Sequence, residues 1–181
     1  MLNSQNPELN LVLKALAFAA HKHRDQRRKD KHASPYINHP IALANTLCNE
    51  AGITDIEAIC GALLHDTVED TETTPEELTD VFGSSICDIV MEVTDDKNLP
   101  KTKRKRLQVQ HARHVSDKAK LVKLADKISN LRDMVVCPPA HWSHERKQEY
   151  FDWAKDVIDQ LRGINPKLES IFDEAYAKRP D

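Results

Sequence analysis

Residues 62–70 read ALLHDTVED and place His65, Asp66, Glu69 and Asp70 directly behind an apolar run, IEAICGALL, that looks like the buried face of a helix. On a helix, residues three and four apart are neighbours, so His65 meets Glu69, and Asp66 meets Glu69 and Asp70. His65 and Asp66 are adjacent, and their side chains diverge by about 100° on a regular α-helix. They can share an ion only if it lies beside the helix and other segments complete its shell. Two segments offer ligands. His39 precedes Pro40, which biases its backbone out of the helical region and leaves the imidazole projecting from a helix start. Asp126 lies in KLVKLADKISNL, where Lys123, Asp126 and Asn130 fall at i, i+3 and i+7. That polar stripe opposes the Leu/Ile face and suggests the lining of a pocket. His39, His65, Asp66 and Asp126 would supply two imidazoles and two carboxylates, a set suited to Mn²⁺, Fe²⁺ or Zn²⁺ rather than Ca²⁺ or a thiolate site. Each residue alone has a plainer reading: a common dipeptide, a residue at a helix start, a surface acid paired with Lys123 or Lys127. Their combination carries the metal reading.

The elements that must position these residues are helices. Pro7 can open a helix with Leu9, Val12, Leu13, Leu16, Ala19, Ala20 and His23 at three- and four-residue steps. A polar loop, RDQRRKDKHASPYIN, leads to a second helix with the stripe Ile41, Ala44, Leu47 and Cys48. Thr54–Glu57 and Thr74–Glu77 are capping-box patterns, and the helix after the first runs on into ALLHDTVED. Gly83 suits a helix stop. A basic helix spans Lys101 to about His114, Ser116 and Ser143 can cap two more, and the last begins near Pro166. Tyr150, Trp153, Ala154, Val157, Ile158 and Leu161 make one apolar stripe closed by Gly163. No alternating strand pattern, repeat or low-complexity linker interrupts the series. The expectation is an all-α single domain, a compact helical bundle over 1–181, with a core over about 7–162 and a C-terminal helix over about 166–178.

Bulk properties narrow the class. The 181 residues are 40% hydrophobic and 30% charged with only 4 glycines, an ordinary soluble composition that leans towards helix. A net charge of -3 gives no global attraction to nucleic acid or to an anionic membrane. Cys48, Cys60, Cys87 and Cys137 form no CxxC pair and read as small core residues in a reducing compartment. No apolar run approaches the roughly 18 residues of a membrane span. The N-terminal stretch is amphipathic and lacks the basic start of a signal peptide. A cytoplasmic protein with room for a nuclear pool is expected, as a monomer or weak homodimer.

In order along the chain, NHP (38–40), ALLHDTVED (62–70) and KLADKISNLRD (123–133) resemble the HD-domain metal phosphohydrolases. QRRKD (26–30), PYINHP (35–40) and VTDDKNLPKTKRKRLQ (93–108) extend the resemblance to the hydrolase domain of RelA/SpoT homologues, and to the small stand-alone alarmone hydrolases including the animal form. The likeness runs from the first helix to about Leu161. It implies that His39, His65, Asp66 and Asp126 hold one Mn²⁺, with Zn²⁺ or Fe²⁺ as lesser alternatives. It further implies that Glu69 and Asp70 are the catalytic carboxylates. The implied substrate is a guanosine nucleotide with an extra 3′-diphosphate (ppGpp or pppGpp), cleaved at the 3′ position to release pyrophosphate. Such chemistry suits the residues, since a divalent ion acidifies bound water and neutralises phosphate, and a nearby carboxylate can take the proton.

By the same resemblance Arg28 and Lys29 contact the substrate, Asn130 reaches the nucleotide beside the metal, and Lys101 helps the 5′ phosphates. Tyr150 suits a nucleotide contact or core packing equally. KTKRKR (101–106) suits a solvated helix face, phosphate attraction or a nuclear signal. The length leaves no room for a synthetase domain, so hydrolysis without synthesis is expected. Two rival readings stand beside this one: a phosphatase acting on another ribose-phosphorylated nucleotide such as NADPH, and a non-enzymatic HD fold used as a nucleotide sensor. Nucleic-acid binding through KTKRKR is a third, and a steep salt dependence that survives metal removal would mark it.

Overall fold

The computed structural model describes residues 6–181; residues 1–5, which the sequence reading includes in the domain and in the amphipathic N-terminal stretch, lie outside the described residues. In chain order the helices are α1 (Pro7–Lys22), α2 (Asn38–Asn45), α3 (Ile56–Leu64), α4 (Thr67–Asp70), α5 (Pro75–Phe82), α6 (Ser84–Val93), α7 (Lys101–His111), α8 (Asp117–Val136), α9 (His144–Ile158) and α10 (Pro166–Tyr176). Their starts follow side-chain chemistry. Asn6, Thr74, Ser116, Ser143 and Asn165 each accept a hydrogen bond from a backbone N–H of the first turn they precede. At α3 the cap is Asp55, which accepts from Ala58 N at 2.9 Å, one residue later than the capping-box pattern suggests.

Two helices form the frame. α8 packs against α2, α3, α6, α9 and α10, while α3 packs against α1, α2, α6 and α8. Leu124, Ala125, Ile128 and Leu131 of α8 are fully buried among Leu43, Leu47, Ala62, Phe151, Ile158 and Phe172. A second cluster joins Ala15, Ala19, Cys60, Leu63, Leu64, Leu78 and Val90. Full burial of one such Leu, Ile or Phe side chain is worth about 1.5–3 kcal/mol, so α3 and α8 are the least movable parts of the molecule. At Gly61 an added Cβ would meet Ile89 Cγ2 at 2.6 Å, which is how α6 comes so near to α3 one turn ahead of His65.

Some expected faces are rotated. Leu9 and Leu13 are each 52% exposed, because α1 lies on the core through its small residues Ala15 and Ala19. Ile41 is exposed while Leu43 and Leu47 are buried. Here α2 passes into a π-helical turn, Thr46–Glu50, whose wider repeat shifts the inward face. The helix expected through ALLHDTVED is interrupted: α3 stops at Leu64 and α4 restarts at Thr67.

Among the described residues there is no strand. Of two isolated bridges, Arg27 with Pro35 closes the 24–37 loop on itself, and Asp30 with Pro139 pins that loop against the link between α8 and α9. All four cysteines are free: Cys60 and Cys87 are buried, and Cys137 is exposed at the end of α8. No described helix is long and apolar enough to cross a membrane.

Candidate metal centre and its clefts

His39 from α2, His65 from the α3–α4 junction and Asp126 from α8 bring one donor atom each within 4.8 Å of one another. The two imidazoles are oriented alike. His65 Nδ1 donates to Ala62 O at 2.9 Å, and His39 Nδ1 pairs with Ser129 Oγ at 3.1 Å. In both, Nε2 is the nitrogen turned to the centre, as metal-ligating histidines require. His39 Nε2 lies 3.2 Å from Asp126 Oδ1, and His65 Nε2 lies 2.8 Å from Asp66 Oδ2. His65 Nε2 is nevertheless buried without a hydrogen-bond partner, an unsatisfied position of the kind a cation would fill. The donor set therefore fits a divalent ion; Asp66, the fourth residue expected, is not among the converging donors and touches the group through His65. His39 corrects one expectation, since it sits inside the first turn of α2, 3% exposed, and not ahead of it.

Charge is balanced by neighbours that the helices supply. Burial works against the imidazolium of His65, but Asp66 and then Asp126 outweigh it and lift its pKa to about 9. Burial pushes His39 down, against the pull of Asp126. Asp66 and Asp126 are half-buried, and although desolvation works against their charge, the former is held far below the usual carboxylate range by His65, and the latter by Lys127 and His39. Lys127 Nζ stands 2.8 Å from Asp126 Oδ2 and 4.5 Å from the centre of the Trp153 ring. Tyr36 donates its phenol proton to Asp66 Oδ2.

Glu69 and Asp70 line the same cavity, of about 190 Å³. Burial, abetted by Asp66, Asp95 and Asp70, raises Glu69 to about 7, although the Asp95 N–H that it accepts at 3.0 Å pulls the other way. Asp70 is fixed differently: Gln26 Nε2 donates to it at 2.9 Å, Lys97 pairs with it, and His23 Nδ1 holds the far end of Gln26 at 2.6 Å.

A wider cleft of about 520 Å³ opens beside the metal cavity, lined by Arg28, Lys29, Asn130 and Tyr150 together with Asp133 and Trp142. Arg28 donates to Asn130 at 3.1 Å and pairs with Asp133 at 2.6 Å, while Asn130 donates to Asp126 at 2.5 Å. The cleft thus abuts the metal ligands through one hydrogen-bonded chain. Lys101 lines neither space; its ammonium lies 5.6 Å from the centre of the Trp142 ring, with Arg146 at 4.2 Å on the same ring. Burial lowers the Lys101 pKa, and Arg146, Lys29 and Arg104 add to that.

Sequence reasoning missed His23, Gln26, Tyr36, Asp95, Lys97, Arg104 and Trp142. Most lie in loops without periodicity. The signal was that Gln26 and Tyr36 fall within QRRKD and PYINHP, Asp95, Lys97 and Arg104 within VTDDKNLPKTKRKRLQ, and His23 at the end of the first helical stripe.

Comparison with known proteins follows this geometry. The pattern of the HD domain family matches residues 15–154. A Xenopus tropicalis protein named guanosine-3′,5′-bis(diphosphate) 3′-pyrophosphohydrolase MESH1 is 57% identical over 166 residues, covering 92% of this chain and 93% of its own. Its Drosophila melanogaster namesake is 50% identical, over 92% and 93% of the two chains. A solved structure described as a metazoan ortholog of SpoT that hydrolyzes ppGpp and plays a role in starvation responses superposes with a TM-score of 0.91 at 47% identity, over 99% of this chain and 98% of that one.

Proposed function

The chain belongs to the HD domain family, and from that premise we propose that it hydrolyses the 3′-diphosphate of guanosine tetra- or pentaphosphate, giving GDP or GTP and pyrophosphate. The observation that carries the reading is the near full-length likeness to relatives named for this activity. The cavity that joins a His/His/Asp centre to Glu69 and Asp70 supports it.

In the proposed reaction, His39, His65, Asp66 and Asp126 hold a divalent ion; the mixed nitrogen and oxygen set suits Mn²⁺, Fe²⁺ or Zn²⁺, and the family resemblance favours Mn²⁺. When bound, the ion polarises water and offsets phosphate charge. The water oxygen bonds to the phosphorus carried by the ribose 3′ oxygen, the bond between that phosphorus and the 3′ oxygen breaks, and the 3′ oxygen takes up a proton. Glu69 orients the water and accepts its proton, a role suited to a carboxyl raised to about 7. Asp70, held by Gln26 and Lys97, steers the departing hydroxyl. Arg28 and Lys29 face the phosphates from the wide cleft, where Asn130 links nucleotide to metal ligand and the Tyr150 and Trp142 rings flank the base or ribose. Lys101, at the rim on Trp142, meets the 5′ phosphates.

The test supplies purified protein with Mn²⁺ and a panel of phosphorylated nucleotides, NADPH included, and identifies the phosphate released. The proposal expects pyrophosphate from the 3′-diphosphate; orthophosphate from NADPH alone would favour the other substrate class. The same reading places the protein in the cytoplasm, in keeping with four free cysteines.

A further inference from the structure

Lys123 is one turn ahead of Asp126 on α8 and only 7% exposed. Three cations line the metal cavity: Arg28, Lys123 and Lys127. Arg28 is paired with Asp133 at 2.6 Å and Lys127 with Asp126 at 2.8 Å. Lys123 has no carboxylate oxygen within 4.0 Å and no hydrogen-bond partner among the described residues. A cation on a largely buried side chain with no close counter-ion is costly, and such a group opening on a cleft marks a place where a ligand supplies the missing charge.

Where that ligand lies follows from the order of the spaces. The wide cleft, the metal cavity and a third cavity of about 220 Å³ run in line, since the first and third share no lining residue and each shares several with the metal cavity. The wall between the metal cavity and the third consists of Asp95, Gln108 and Lys123. Two further buried atoms there lack partners, Arg104 Nε and Gln108 Oε1, and Arg104 Nη1 stands 3.7 Å from Glu69 Oε1. Two acids of the third cavity are occupied elsewhere, Asp96 by Asn98 N at 2.9 Å and Glu92 by Ser116 N at 3.0 Å, while Asp95 accepts from Gln108 at 2.8 Å and stands 3.9 Å from Arg104 Nη1. Lys123, which has no such pair, and Arg104, held at 3.7–3.9 Å by Glu69 and Asp95, therefore stand on the side of the metal cavity opposite the nucleotide cleft.

We infer that Lys123, backed by Arg104, forms the subsite for the diphosphate itself: it holds the terminal phosphate of the 3′-diphosphate during transfer and the pyrophosphate after it. The inference rests on the hydrolytic reading above. As the new oxygen–phosphorus bond forms and the ribose oxygen departs with a proton, the diphosphate gains the negative charge that Lys123 meets. Burial, reinforced by Lys127, lowers the Lys123 pKa to about 8, and an arriving anion raises it again.

The experiment measures binding of pyrophosphate, and separately of GDP, to the full chain at a fixed excess of Mn²⁺ by calorimetry, beside steady-state turnover. Lys123→Met is expected to weaken pyrophosphate binding at least tenfold, to shift GDP binding less than twofold, and to lower kcat more than it raises KM. Lys123→Arg is expected to restore most of the affinity. Arg104→Gln, read in the same way, carries the test if Lys123→Met does not fold, with a threefold or greater loss expected. Turnover with wild-type pyrophosphate affinity in these variants overturns the subsite. Pyrophosphate bound through Lys123 by a protein that leaves the nucleotide intact upholds the subsite and overturns the hydrolytic reading instead.

Discussion

His65 Nε2 and Asp66 Oδ2 stand 2.8 Å apart, a contact that two consecutive residues of a regular helix cannot make with side chains about 100° apart. It exists because the helix breaks there, with Asp66 at φ −101 and ψ 0 as the residue before α4. Thr67 Oγ1, donating to Leu64 O at 2.7 Å, stitches the break. The apolar run of α3 anchors the histidine, and the break swings the aspartate round to the same side. Asp66→Ala is expected to abolish both metal retention and turnover, turnover falling by 10³-fold or more, on the order of 4 kcal/mol. Metal content after dialysis and the rate of pyrophosphate release check it; a variant that retains its metal contradicts the assignment.

Glu69 is separated from the ligands in role. It accepts a backbone N–H from Asp95 at 3.0 Å and is raised to about 7, whereas Asp66 lies 2.8 Å from His65 Nε2. Glu69→Gln should keep the metal and lose turnover by about 10²- to 10⁴-fold, the range for removing a general base. Metal stoichiometry near the wild-type value with slow turnover is the expected pair of results. Full activity would remove Glu69 from the chemistry.

Tyr36 holds Asp66 through its phenol proton, and the buried Tyr36 hydroxyl is kept protonated by burial and by Asp66. Tyr36→Phe removes that donor while preserving the ring that packs 4.8 Å from His23. Support of this kind typically contributes 10- to 100-fold in metal affinity. Competition with a chromogenic chelator should show a loss of that size, with unchanged helix content.

Lys123 also makes a prediction for stability. Its ordinary pKa of 10.5 is lowered to about 8 in the folded chain, so between those values the unfolded state binds more protons and stability rises with pH. Below about pH 8 both states are charged and the full cost, on the order of 3 kcal/mol, is present. Lys123→Met should therefore be more stable than wild type at pH 7 in metal-free protein, and the gap should close as pH rises from 8 towards 10.5. Denaturant unfolding at pH 7 and 10 measures this; a constant gap would contradict the buried-cation account.

The residues proposed to hold the metal were legible because their types are rare on apolar faces and because α3 and α8, which position two of them, are periodic and capped by Asp55 and Ser116. Asp126 and Lys123 lie on one stripe of α8, and that stripe does line the cavity. The break at Asp66 was not legible. HDTVED is compatible with continued helix, and the interruption is a matter of tertiary packing and of the Thr67 hydroxyl. Nor was the anchoring of Asp70 by the His23–Gln26 pair, which spans a loop with no period. The Asp95 contact to Glu69 uses a backbone N–H, which leaves no mark on residue type. On α1 and α2 the expected stripes were offset, since small alanines and a π-helical turn set the inward face.

The most direct measurement is the product balance of a single reaction. Protein stripped of metal and reloaded with Mn²⁺ is given guanosine 3′,5′-bis(diphosphate), and GDP and pyrophosphate are quantified in parallel. The account predicts one pyrophosphate per GDP from the reloaded protein and neither from the stripped protein or from Asp66→Ala. Orthophosphate in place of pyrophosphate, or undiminished release from the stripped protein, would contradict it.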